Sequence, residues 1–450
     1  MRRKISEKLM EWKRDSGGKT ALLIDGARRV GKSYIVEEFA KENYRSYILV
    51  DFNEVGKEIT DLFDMNLREL DSFFMYLSAA YNVKLYDRES LIIFDEVQLC
   101  PRARAAIKYL VADHRYDYIE TGSLMSIKKN VKDIVIPSEE RHIKMFPMDF
   151  EEFLWAKEEN MILPAIKDCF EKRKPMGQAL HRKAMTLFRE YLIVGGMPQA
   201  LEEYINTRDF EAADRIKRDI LTLYRGDIRK HAHGYERKVE SIFDEIPSQL
   251  SKHEKKFTLS ALAKGARYRD YESSFLWLQD SMITNVCYNS TEPNVGLKLN
   301  RDNSSFKMYM SDTGLLISHA FDENGIVSEE IYKKLLLGKL EVNEGMIFEN
   351  IVSQILVANG HSLYFYSNSS RTDKDSRMEI DFLLAKSKIT NRHNISALEV
   401  KSGKNYTLSS INKYRKKYAE QMNEAYVLHI DDLKEKDGIL YLPVYMAICL

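Results

Sequence analysis

Cysteine is scarce in this 450-residue chain: Cys100, Cys169, Cys287 and Cys449 are widely separated and form no C-x-x-C pair. Such usage excludes a disulfide framework and a zinc knuckle, and it fits a reducing cytosol. Long apolar runs are also missing. No stretch approaches the roughly 18 residues a membrane-spanning helix needs, so no membrane partner is expected. The charged opening, MRRKISEKLMEWKRD, reads as an amphipathic helix and lacks the apolar segment of a signal peptide. A cytoplasmic protein is the expectation. An excess of one charge is absent too. Lys+Arg and Asp+Glu both number 68, which excludes a globally basic nucleic-acid protein but not a locally basic face. Neither internal repeats nor low-complexity tracts occur, which excludes a repeat array.

What remains is an ordinary globular composition, 44% hydrophobic and 30% charged. At about 100–200 residues per domain, the length suggests about three domains. The first third alternates apolar runs with helical patterns. Strands are predicted at Thr20–Asp25, Tyr47–Asp51, Ser90–Asp95 and Tyr116–Glu120, and helices at Ser33–Glu42, Leu67–Tyr81 and Ala103–Asp113. That alternation predicts an α/β fold with a parallel sheet and crossover helices.

Between the first strand and the first crossover helix stands Gly26-Ala27-Arg28-Arg29-Val30-Gly31-Lys32-Ser33, which fits G-x-x-x-x-G-K-[ST]. Glycines at this spacing let backbone N–H groups curl round a phosphate, and the helix N-terminus adds positive potential. Lys32 is placed to reach the β- and γ-phosphates of ATP, and Ser33 to supply a magnesium ligand. The strand Leu91–Phe94 then delivers Asp95 and Glu96 at its C-terminal end, where open α/β sheets bind ligands. Asp95 is expected to hold magnesium and Glu96 to deprotonate the attacking water. A further strand ends in Thr121-Gly122-Ser123. Its hydroxyls either meet the γ-phosphate and lytic water or cap the following turn.

Phosphate loop, Asp-Glu strand and polar strand in this order resemble an AAA+ ATPase. Phe-Asp-Glu-Val-Gln (94–98), Glu-Thr-Gly-Ser-Leu (120–124), Phe-Pro-Met-Asp-Phe-Glu-Glu-Phe-Leu (146–154) and Val-Gly-Gly-Met-Pro (194–198) narrow the resemblance. They are similar to a widespread prokaryotic family that joins an AAA+ domain to a C-terminal domain of unknown function with nuclease-like character. The family has Gly-Arg shortly before the Phe-Pro-Met-Asp-Phe run, whereas this chain has Ser138-Glu139-Glu140-Arg141. Arg141 is either a trigger arginine acting on phosphate or a solvated side chain.

The stretch from Phe150 to about Lys230 is almost purely helical, broken at Gly195-Gly196, and reads as the helical lid of such a module. Helices at Phe257–Ala266 and Asp270–Asp280, followed by strands at Met282–Tyr288 and Phe306–Met310, suggest a winged helix. The family resemblance implies the same. Its basic residues Lys252, Lys255, Lys256, Lys264, Arg267 and Arg269 are available to DNA phosphates, although such modules also bind proteins.

Near the C-terminus, the period of two in Glu399-Val400-Lys401 puts Glu399 and Lys401 on one strand face. Asp381 opens another apolar strand, and Glu349 projects from a helix. This set resembles the PD-(D/E)xK nuclease core, with Ile380 in place of the proline. The resemblance implies that Asp381, Glu399 and Glu349 hold magnesium while Lys401 activates water. The alternative is a buried ion-pair network in a silent domain. Lys404, Lys413, Arg415, Lys416 and Lys417 form a further basic run.

The expected division is 1–149, an AAA+ core; 150–233, a lid; 234–325, a winged-helix-like domain; and 326–450, a nuclease-like domain. The expected function is magnesium-dependent ATP hydrolysis controlling a nucleic-acid-binding half, with cleavage by that half and a homo-oligomer both left open. Its rivals are a nucleotide-gated DNA binder without cleavage and an ATP-driven protein-interaction switch.

Overall fold

The computed structural model describes residues 1–65, 69–123, 138–252, 254–294, 296–321, 329–339, 344–368, 376–385 and 394–450. Four parallel strands, Ala21–Gly26 (β1), Ser46–Asp51 (β2), Ser90–Asp95 (β3) and Asp117–Gly122 (β4), are joined by Glu140–Met145 (β5) in the order β2-β3-β4-β1-β5. Side chains of a strand alternate between faces, and this sheet is covered on both. Continuous apolar runs such as Leu22-Leu23-Ile24 and Leu91-Ile92-Ile93-Phe94 are the result.

Helices Ile5–Ser16 (α1), Lys32–Asn43 (α2), Lys57–Met65 (α3), Leu70–Tyr81 (α4) and Pro101–Ala112 (α5) complete this part. Ala21, Leu23, Ile92 and Phe94 pack with Phe63, Phe73, Leu77 and Ile107 of α3, α4 and α5. The helix predicted from Leu67 begins at Leu70, and residues 66–68 lie outside the described set. Neither α3 nor β5 was expected. β5, Glu-Arg-His-Ile-Lys-Met, is too polar to announce itself, because an edge strand buries little of its surface. It is anchored by a buried ion pair, Glu140 with the Arg104 guanidinium at 3.0 Å.

The chain separates into two compact units, Met1–Phe146 with Asp280–Met282, and Pro147–Gln279 with Ile283–Leu450. Apart from Asp280–Met282, the segments 150–233, 234–325 and 326–450 therefore share one unit. Its helices are Phe150–Ala156 (α6), Ile162–Glu171 (α7), Gln178–Val194 (α8), Pro198–Thr207 (α9), Phe210–His231 (α10), Glu236–Ser251 (α11), Tyr268–Asp280 (α12), Thr313–Ala320 (α13), Glu329–Leu336 (α14), Glu344–Ala358 (α15) and Ser409–Lys417 (α16). Asp149 starts α6 with a capping box: its side chain accepts from the Glu152 amide, and Glu152 reaches back to the Asp149 amide. That is one physical reason for the Met-Asp-Phe-Glu-Glu sequence.

The Val-Gly-Gly-Met-Pro break has an equally local cause. The Gly196 N–H donates to Asp312 at 2.5 Å, and its carbonyl accepts from Met148 N at 2.7 Å. A Cβ at Gly196 collides with the Met148 backbone. Gly195 has φ of 82°, which favours glycine.

An eight-stranded mixed sheet contains Thr284–Ser290 (β6), Arg301–Met310 (β7), Tyr364–Asn368 (β8), Met378–Ala385 (β9), Ile395–Val400 (β10), Met422–His429 (β11), Lys434–Lys436 (β12) and Ile439–Pro443 (β13). Its order is β12-β13-β11-β10-β9-β8-β6-β7. The hairpin read as a wing, β6 with β7, pairs through β6 with β8 and forms the edge of this larger sheet. α15 packs on β6, β7 and β10, while α16 packs on β9 and β11. Among the described residues no helix is long and apolar enough to cross a membrane.

Candidate functional site

The loop Gly26–Gly31 leaves β1 and enters α2 at Lys32. Gly31 takes φ of 93° and Arg29 φ of 68°, so the loop turns through backbone that L-residues rarely adopt. Ala27 and Val30 are buried, Arg28 is half-buried and Arg29 is exposed. A Cβ on Gly26 stands 2.5 Å from the Met145 carbonyl, so β5 presses directly on the start of the loop. Arg3 clamps it from the N-terminus by donating to the carbonyls of Val30 and Phe146, each at 2.8 Å. Nothing in the sequence pattern marked Arg3.

Lys32 is 5% exposed, and its Nζ donates to the carbonyls of Gly26 at 2.9 Å and Ala27 at 3.0 Å. Burial lowers its pKa, and Glu96, Asp25 and Asp95 oppose that shift from nearby. Ser33 Oγ lies 2.9 Å from Asp95 Oδ1, and Thr121 Oγ1 donates to the same oxygen. Burial raises the Asp95 pKa, partly countered by the two hydroxyls.

Glu96 adopts φ of 52° and ψ of 46°, a left-handed conformation uncommon for a side-chain-bearing residue. Gln98 Nε2 and Ser123 Oγ, the latter at 3.0 Å, both donate to Glu96 Oε2. Thr121 and Ser123 thus bond the two carboxylates, so each hydroxyl has a fixed partner other than a turn amide. Gln98 is the last residue of Phe-Asp-Glu-Val-Gln, and its contact with Glu96 gives that position a role the motif alone does not state.

Arg141 is read in the sequence as either a trigger arginine or a solvated side chain. It lies exposed on β5 opposite Leu22, whereas Gly26 pairs with Met145. Four residues of parallel strand, roughly 13 Å, separate it from the loop. That register sets Arg141 apart from the phosphate loop of its own chain.

In the second unit, antiparallel β9 and β10 bring Asp381 and Glu399 side by side, one position beyond the Phe382–Leu398 pair. A register shift against β8, where Tyr364 and Tyr366 face Leu383 and Ile380, puts an irregularity at Asp381. Asp381 Oδ2 accepts from the Val400 amide at 2.9 Å. Glu399 Oε2 lies 2.8 Å from Lys401 Nζ. Burial pushes the Glu399 carboxyl up to about 7, with Lys401 opposing and Asp381 adding to the rise.

Glu349 of α15 accepts from Tyr309 at 3.0 Å and pairs with Lys255. Its neighbour Asn350 clamps the Met310 backbone, accepting from the amide at 2.8 Å and donating to the carbonyl at 3.1 Å. A cleft of 620 Å³ opens here, lined by Lys255, Glu349, Glu379, Asp381 and Lys401 among others.

Three acids of this cleft, Glu349, Glu379 and Asp381, face a single lysine. Lys307, on β7 and 1% exposed, stands among them, 2.7 Å from Glu379, 3.6 Å from Asp381 and 3.7 Å from Glu349. Burial works against its charge, but Glu379, Glu349 and Asp381 outweigh that and raise its pKa well above the ordinary value. Glu349 shows the converse: burial opposes its charge, yet Lys255 and Lys307 hold its pKa down. Among the described residues no group of three or more His, Cys, Asp and Glu is arranged to hold a metal ion. Of the residues expected to hold magnesium, Asp381 and Glu349 lie near Lys307, and Glu399 pairs with Lys401. Inside the apolar run Phe306–Met310, Lys307 alternates with Tyr309, and that period of two is the sequence signal of an inward-facing lysine.

Comparison with known proteins adds the following. Residues 18–154 match the family model described as AAA domain, while residues 185–324 and 344–446 match two domains of unknown function, DUF8612 and DUF4143. No curated protein matches the chain. Solved structures similar to it include a Walker-type ATPase of Pyrococcus abyssi, at 17% identity and a TM-score of 0.40, covering 71% of this chain and 95% of that one. The Aeropyrum pernix ORC1 protein in complex with DNA follows at 9% identity and 0.28, covering 72% and 93%. Drosophila ORC bound to DNA stands at 13% and 0.26, covering 74% and 94%. At these scores the likenesses do not extend to function. The family match and the loop geometry agree on residues 18–154: the segment is an AAA-type P-loop domain.

Proposed function

We propose that the first unit binds ATP with magnesium and hydrolyses it, and that the nucleotide cycle controls a second unit that engages nucleic acid. One observation carries the first half: Lys32 rests on two neutral carbonyls while Ser33 and Asp95 meet at 2.9 Å beside it. Phosphate oxygens compete easily for an ammonium held only by carbonyl dipoles. Ser33 and Asp95 offer the hard-oxygen pair that suits magnesium, and these two residues would hold it. When bound, the ion neutralises charge on the β- and γ-phosphate oxygens. Glu96, aimed by Gln98 and Ser123, takes the proton of the attacking water.

Phosphate release by Glu96→Gln tests this. A fall of about 10²–10⁴ with ATP affinity retained is expected of a lost general base. Release at the wild-type rate overturns it.

For the second half, exposed Lys252, Lys264, Arg267, Arg269, Lys404 and Lys416 support contact with a phosphate backbone. The winged-helix-like and nuclease-like readings of 234–325 and 326–450 belong to this proposal. Binding to duplex DNA is expected to weaken steeply with salt, by roughly one unit of logarithmic slope per phosphate contacted. Failure to bind in either nucleotide state leaves a protein-interaction switch.

A further inference from the structure

We propose that Lys307 is the resident cation of the C-terminal acidic cluster, so that Glu349, Glu379 and Asp381 hold a tethered ammonium where a nuclease core holds a divalent metal, and the second unit does not cut phosphodiesters. The inference stands on the second unit alone and is independent of ATP hydrolysis in the first.

The geometry excludes sharing. Carboxylate oxygens of three residues, on α15 and β9, face one Nζ at 2.7–3.7 Å. A magnesium ion needs oxygens at about 2.0–2.1 Å in near-octahedral array. Seated among the same oxygens, it meets a positive charge a few ångströms away in a buried setting, where Coulomb repulsion is poorly screened. The ammonium cannot simply swing aside. Lys307 is rooted within β7, is 1% exposed, and lies 5.1 Å from the Phe365 ring centre.

Charge balance points the same way. Lys307, Lys255 and Lys401 stand against Glu349, Glu379, Asp381 and Glu399, which leaves one formal negative charge. A site that binds a dication ordinarily presents more uncompensated charge than that. The residues that matter also come from different stretches of chain. Lys255 follows α11 and Lys307 belongs to the β6–β7 hairpin, so the segment before residue 326 neutralises the acids of the segment after it.

The test is a manganese titration of nucleotide-free, full-length protein carrying Asp95→Asn, which disables the first unit's site. Loss of the free-ion electron paramagnetic resonance signal reports binding. With Lys307 intact, no equivalent is expected to bind up to millimolar manganese. Adding Lys307→Met is expected to create one site, at least tenfold tighter, that Asp381→Asn abolishes. One bound equivalent in the Lys307-containing protein, lost on Asp381→Asn, overturns the proposal. If Lys307→Met does not fold, the intact-lysine titration decides alone. A second measurement is plasmid nicking by wild type with magnesium or manganese. None is expected, and nicking that disappears in Lys401→Ala overturns the proposal.

Discussion

Lys32 and Lys307 are both buried lysines, each beside a cluster of carboxylates, yet the two sites use the charge in opposite ways. Lys32 bonds to backbone carbonyls, with the acids near but not in contact, and burial lowers its pKa. Lys307 contacts carboxylates directly, and they raise its pKa against the same desolvation. A lysine held by neutral dipoles is available to an arriving anion. A lysine held by three anions is a fixed part of the fold. What a buried charge does is decided by whether its present partners can be exchanged for better ones.

The largest effect that sharpens this contrast is on stability. Lys307→Met leaves the partly buried Glu379 and Asp381 without their nearest cation and buried Glu349 with Lys255 alone, and unfolding in urea is expected to show a loss of about 3 kcal/mol. Adding Glu379→Gln is expected to recover part of it, because the pair is coupled at 2.7 Å. Lys32→Met, by contrast, removes contacts that matter chiefly when nucleotide is bound. Its cost should appear as an ATP affinity weaker by about 2–3 kcal/mol, the worth of charge-assisted hydrogen bonds, in equilibrium titration with a fluorescent ATP analogue. Equal affinity in wild type and variant breaks the comparison.

A smaller effect concerns pH. The folded pKa of Glu399 is about 7, above its ordinary carboxyl value. The native state therefore keeps a proton that the unfolded chain has released. Its stabilising contribution is complete below about pH 4.5 and disappears as pH rises through 7. Wild type is expected to lose on the order of 2 kcal/mol more than Glu399→Gln between pH 5 and 8, measured as parallel denaturation series. Identical pH profiles would falsify the assignment. The smallest effect belongs to Arg141→Ala. An exposed residue at the far end of β5 should change ATP affinity of the isolated chain by no more than about 0.5 kcal/mol.

Much of the first site was legible in the sequence because its chemistry is local. Gly26 to Ser33 is one continuous loop, and Asp95-Glu96 ends one strand, so pattern and geometry coincide. Roles that depend on partners elsewhere were harder to see. Thr121 and Ser123 turned out to hold Asp95 and Glu96, and Arg3 reaches a carbonyl 27 residues away. In the second unit, Glu399 and Lys401 share a strand face as their spacing requires, and the ion pair follows from it. The spacing carried no information about Lys307, which approaches from an earlier hairpin.

By itself the sequence determined the parallel sheet of the first unit, the phosphate loop and the carboxylates at the strand end, because apolar runs and short-range motifs fix backbone direction within a few residues. Only the tertiary structure decided that β5 carries Arg141 away from the loop, that the β6–β7 hairpin extends the C-terminal sheet, and that a lysine fills the acidic cluster. Those outcomes depend on register and on contacts between segments tens of residues apart. No periodicity along the chain records which charge will be packed against which.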